Sequence, residues 1–235
     1  MSKTTIPTGG ITADAINGTL LADDAINSEH YTDGSIDTAH IGDSQVTAAK
    51  ATGVGNFVKI GTVATDNSNV SALTIDNCFS STYDLYRIVG YHSVTSGGAH
   101  NYFRWRTGGG SGSSYTTGDY QWITHGKFNS SAGSGDYFNG NNSSDHGRVA
   151  SDIRSDSDAV LVTFDLLVSD PNTNVVGRAN VTGVSCVRQN TNSRWVTHHL
   201  GITNGANVNA TGFQMTVSTG SINYGRVSVY GLVQA

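Results

Sequence analysis

Three groups of residues in this chain carry side chains whose types and spacing could do chemistry. The first is histidine. His198 and His199 are adjacent, but neighbouring side chains on a strand point to opposite faces, so one chain cannot bring both imidazoles to one metal ion. His30 and His40 each stand just before a large apolar residue, Tyr31 and Ile41. Three copies around an axis could gather three such imidazoles on an ion, against the default of a solvated surface histidine. The second group is carboxylate. Asp152, Asp156 and Asp158 offer oxygens of the kind calcium takes, at a spacing unlike that of an EF-hand loop, and a turn is the commoner meaning. Glycoside hydrolysis needs a carboxylate pair. No Glu follows residue 55, and Asp119, Asp136 and Asp145 have no recognisable setting for the task. Gly110-Ser-Gly-Ser-Ser114 misses the nucleophile elbow, and the glycines from Gly108 lack the Lys-Ser/Thr of a phosphate cradle. The chain does not read as an enzyme, and no metal or cofactor is expected.

The third group is aromatic. Tyr115, Tyr120, Trp122, Tyr137 and Phe138 lie among Asn, Ser, Gly, His125 and Asp136. Flat apolar rings beside short hydrogen-bonding groups suit the apolar faces and hydroxyl rims of sugars, and they suit protein contact as well. These seven residues are the candidate receptor-binding set.

The elements that must position them read as strands. Leu is sparse, glycine is common at 29 residues, and beyond residue 55 the only lysines are Lys59 and Lys127, so helices have little to form from. Phe57–Val63 alternates, and Leu85–His92 is apolar on both faces, as a central strand is. In Asn101–Thr107, Phe103 and Trp105 point one way and Tyr102, Arg104 and Arg106 the other. Val160, Val162, Phe164, Leu166 and Val168 form an inward row, as do Phe213, Met215 and Val217, and then Val227, Val229 and Val233. Residues 178–188 and 194–200 add further candidates. Cys78 and Cys186 sit in apolar, strand-like runs and read as reduced, buried thiols. The stretch 107–150 predicts one or two strands around Tyr120–Phe128, flanked by long recognition loops. Many strands without helical crossovers predict an all-β fold in which residues 56–235 form an antiparallel β-sandwich head, jelly-roll-like in winding.

The N-terminal segment follows a different rule. Ile6, Ile11, Ile16, Leu21, Ile26, Tyr31, Ile36, Ile41 and Val46 recur every five residues among small and polar ones. On a helix, five steps rotate an apolar side chain by about 140°, so no stripe forms, and on a strand alternate members face opposite ways. A repeating extended-and-kinked unit would place one apolar residue inward per turn. A narrow solenoid would want a second small residue in fixed register, yet Ala13, Ala15, Ala25, Ala39 and Ala48 keep none. Three intertwined copies burying their rows on a shared axis fit better. Residues 1–10 then form an attachment tip, 11–55 a fibrous stalk and neck, and 56–235 the head, in a homotrimer.

Charge supports the division. The first 55 residues hold seven acidic groups against Lys3 and Lys50, while the other 180 balance 11 basic with 11 acidic, so the net charge of −5 lies on the repeat. No basic field is present for nucleic acid. No apolar run reaches membrane-span length, and Met-Ser-Lys-Thr-Thr reads as a cytosolic start without a signal peptide.

The stretch Ile11–Ile36 resembles repeats in the tail-fibre and related virion proteins of marine bacteriophages. Tyr83-Asp-Leu-Tyr-Arg-Ile-Val89, Phe103-Arg-Trp-Arg-Thr-Gly-Gly109 and Gly220-Ser-Ile-Asn-Tyr-Gly-Arg-Val-Ser-Val-Tyr-Gly-Leu232 are similar to a recurring phage fibre head. The resemblance implies a homotrimer on the virion exterior, made in the host cytoplasm. It implies other virion proteins as partners at the N-terminus and a head that meets a host surface glycan or protein. A purely structural virion part, such as a capsid decoration fibre or a connector for other fibres, is the alternative.

Overall fold

The computed structural model describes residues 9–12, 31, 36, 38–42, 45–46, 57–130, 133–154, 162–172, 179–189, 195–204 and 206–232. The chain divides into two compact units, Met1–Thr52 and Gly53–Ala235. In the first, the described residues include one 3-10 turn, Thr38–His40. Five of the nine beat residues are described there. Ile11, Tyr31, Ile36, Ile41 and Val46 are each between 40% and 57% exposed on the single chain. Ile6, Ile16, Leu21 and Ile26 lie outside the described residues, as does His30.

The second unit contains thirteen described strands: β1 Phe57–Val70, β2 Ala72–Ile75, β3 Leu85–Val94, β4 Ala99–Thr107, β5 Ser113–Ser114, β6 Tyr120–Ser130, β7 Gly133–Ser144, β8 Gly147–Ile153, β9 Val162–Ser169, β10 Asn180–Arg188, β11 Trp195–Asn204, β12 Gly212–Val217 and β13 Ile222–Leu232. All their pairings are antiparallel. One sheet runs β1-β13-β3-β9-β10-β11-β6-β7 and the other β2-β12-β4-β5, with β8 also paired to β4. The two sheets share one apolar core, which makes the fold a β-sandwich. The ribbons β1–β2, β3–β4, β8–β9 and β12–β13 each carry the chain from one sheet to the other. β10, β11, β6 and β7 widen the first sheet alone.

Alternation dictates which side chains enter the core. Val162, Phe164, Leu166 and Val168 of β9 are buried while Thr163 and Leu167 are exposed. Phe103 and Trp105 of β4 are fully buried and meet edge to face at 4.7 Å, with Phe213 of β12 stacked 6.0 Å from Phe103. Each such side chain, fully buried, contributes about 1.5–3 kcal/mol. β3 lies between β13 and β9 with neighbours on both sides, as its two-sided apolar pattern requires. Val160 and Val233 fall outside the described residues, and Val217 is only partly buried.

Two expectations are corrected. Residues 107–150 are largely strand: β6 and β7 form a hairpin and β8 follows. The Gly-, Ser- and Asn-rich β7 is a strand because it has a well-ordered neighbour to pair with, which outweighs its poor propensity. Cys78 lies outside any strand, in the connection between β2 and β3, where it is buried; Cys186 is on β10 and partly exposed, and both thiols are free. Burial pushes the Cys78 thiol up to about 12, so it stays protonated and inert.

Candidate recognition surface

Period two along β6 divides the candidate aromatics between two faces. Tyr120, Trp122, Thr124 and Gly126 are buried, and Gln121, Ile123, His125 and Lys127 are exposed. Tyr120 is enclosed in the core, where its hydroxyl accepts a hydrogen bond from Trp105 N at 2.7 Å and donates to the Tyr115 carbonyl at 3.0 Å. Burial raises its pKa and keeps it a neutral donor. Trp122 is also buried. Both rings are buried, where the sequence reading has them in polar loops, although Trp122 still contributes to the lining of the groove described below. The cause is register: a strand aromatic can face either way, and here the core required those rings. Tyr115 is partly buried against the core, and its hydroxyl donates to Asp119 Oδ2 at 2.9 Å. The side chain of Tyr137 lies outside the described residues.

The remaining three candidates come together. His125 pairs with Phe138 across the β6–β7 hairpin, and Lys127 pairs with Asp136. Phe138 is 70% exposed, its ring centroid 6.4 Å from that of His125. Lys127 Nζ lies 3.3 Å from Asp136 Oδ1, an open ion pair worth little energetically.

Beside this hairpin the sheet surface dips into a shallow groove of about 380 Å³ lined by Gln121, Ile123, Asn141, Asn180, Thr182, Gly201 and Thr203, among others. Its origin lies in one row of the ladder. Thr182, Gly201 and Ile123 are direct cross-strand neighbours on β10, β11 and β6. Glycine in the middle of that row leaves a gap where a side chain would otherwise stand. A Cβ built on Gly201 would meet only Ile123 Cγ2, at 3.6 Å, so the gap is open space rather than a crowded backbone contact. The surface of the groove is mostly apolar, and the amides and hydroxyls of Gln121, Asn141, Asn180, Thr182 and Thr203 share its lining with Ile123. The lining contains no carboxylate or imidazole among the described residues, so a molecule placed there would meet only neutral donors and acceptors. Sequence reasoning passed over Gln121, Asn141, Asn180, Thr182, Gly201 and Thr203. The signal was available in Gly201, a glycine interrupting an otherwise alternating strand.

The other chemical candidates are dispersed. His198 is fully buried and His199 faces outward, on opposite sides of β11. Burial lowers the His198 imidazole to about 4, and it lies 3.5 Å from Ser185 Oγ. Among the described residues no group of three or more His, Cys, Asp or Glu could hold a metal ion; Asp156 and Asp158 lie outside them. Gly108 and Gly109 take positive φ around a 3-10 turn, Gly109–Ser111, which is a tight loop.

No family model, curated protein or solved structure matches this chain.

Proposed function

We propose that this protein is a fibre or spike of a bacteriophage virion that binds the host cell surface, with the groove and the His125–Phe138 hairpin as its recognition surface. The observation that carries the reading is the groove itself: a mostly apolar surface edged with neutral amides and hydroxyls, on the same sheet as an exposed aromatic ring, suits the apolar face and hydroxyl rim of a sugar. It is a binding head rather than an enzyme. The N-terminal repeat forms a homotrimeric stalk, held on the particle by its tip and other virion proteins. Supporting this are the five-residue beat, the exposure of its described members on a lone chain, and the resemblance to phage fibre repeats. Three heads on one stalk would multiply weak single contacts into lasting attachment.

The test is binding of the full chain to host cells. Gly201→Val puts a side chain into the gap, its Cβ meeting only Ile123, and Phe138→Ala removes the exposed ring. Saturable binding that both changes reduce by about tenfold or more is expected, with melting temperature unchanged. Binding that survives both removes the recognition surface from the proposal. Light scattering tests the stalk: three chains per particle are expected, and a single-chain mass would overturn it. A structural decoration or connector is the second reading, favoured by Leu167 and Val184, apolar and exposed on the outer face of the larger sheet. Particles that keep full infectivity with both groove variants would favour that reading.

A further inference from the structure

At the seam between the two sheets, Arg148 is a cation held without an anion among the described residues. Arg148 of β8 places its guanidinium carbon 4.6 Å from the centroid of the Trp122 ring of β6 and 6.0 Å from that of Tyr102 of β4. Stacking on an indole stabilises a cation and fixes the plane of the fork. Three other strand arginines are matched, while Arg188 of β10 shares a buried, unpartnered Nε but has no ring stacked on it among the described residues. Arg87 forks onto Asp165, Arg106 onto Asp76, and Arg104 binds Asp145 Oδ2 at 2.8 Å. Arg148 forms no ion pair among the described residues, and its Nε is buried without a partner there.

The surroundings are arranged around this charge. Asp145, the carboxylate on the preceding turn, is occupied by Arg104 and by His146 Nδ1 at 2.6 Å. His146 stacks on Tyr102 at 3.5 Å. His100 accepts the Asp152 N–H at Nδ1, 3.0 Å away, so its own proton sits on Nε2 as a further donor. Burial and the Arg148 charge both lower the His100 pKa, which leaves Arg148 as the lasting cation. The carboxylate of Asp152 acts in the opposite sense on His100.

We infer that Arg148, oriented by Trp122 and Tyr102, is an anchor for the carboxylate of an acidic saccharide. With its face on a ring and its Nε enclosed, the guanidinium leaves its two terminal nitrogens for a planar carboxylate, two N–H donors to two oxygens. A ligand with both a neutral and a uronate sugar would use this anchor in addition to the groove. The choice of a saccharide rests on the adhesion reading; the anion anchor itself does not.

The experiment is calorimetric titration of the full chain with oligogalacturonate, dextran sulfate and neutral dextran. Oligogalacturonate is expected to bind best, about tenfold more weakly to Arg148→Gln, and more weakly to Arg148→Lys, which keeps the charge but loses the fork. Lys59→Gln, which removes an exposed cation on β1, should bind it as the parent does, which separates the anchor from a general effect of charge. If Arg148→Gln fails to fold, the affinity of Arg148→Lys decides the question. Unchanged affinity in the folded Arg148 variants, no uronate binding by the parent, or equal affinity for dextran sulfate would each overturn the anchor. Loss of cell attachment in Gly201→Val would still stand in those cases.

Discussion

β3 and β7 belong to the same sheet and are made in opposite ways. β3 carries Tyr86, Ile88, His92 and Val94 into the core and has a strand on each side. β7 is Gly, Ser and Asn for most of its length, with β6 as its one neighbour in the sheet. The first is held by its own side chains, the second by a partner's backbone. That difference separates what keeps the head folded from what it can offer to a ligand. A strand that contributes little to the core can carry Phe138 and Asn141 outward without disturbing the interior.

The largest effect should come from the interior strand. Ile88 is fully buried, and Ile88→Ala is expected to cost about 2–5 kcal/mol in denaturant unfolding. A cost below about 1 kcal/mol would show β3 to be as dispensable as β7 and would erase the contrast. Acid comes next. His92 on β3 and His198 on β11 are both buried and lowered from 6.5 to about 4. They are neutral in the folded head, whereas in the unfolded chain they gain protons below about 6.5, so stability is full above that pH and is lost as pH falls towards 4. Each contributes on the order of 3 kcal/mol to that loss. Thermal melts at about pH 7 and about pH 4.5 check it, and equal midpoints would exclude both histidines. The smallest effect belongs to the edge: Lys127→Ala opens the exposed pair with Asp136 and should cost less than about 1 kcal/mol in the same unfolding measurement.

The same contrast decides how much was legible in advance. The rows Phe103/Trp105, Val162 to Val168 and Phe213/Met215 announce their strands because alternation and burial coincide there. β7 announces nothing, since glycine and serine have no preferred side. Tyr120 and Trp122 could be placed on a strand from the sequence but not turned to a face, because that depends on which sheet lies beneath. The groove was hidden for a further reason: it is made by what Gly201 lacks, and its walls come from strands far apart in the chain. The five-residue beat was legible as a rule of spacing, and the described members, exposed on one chain, leave its burial to be supplied by other copies under the proposed assembly.

Gly201 has one more consequence. Most glycine codons are a single base from alanine, serine, valine or arginine, and each would fill the hollow to a different depth or line it with a different charge. Since a Cβ there meets only Ile123, the first carbon of any such side chain enters without a clash and reshapes the groove. The shape and charge of the hollow are thus open to change by a short mutational path at this one position.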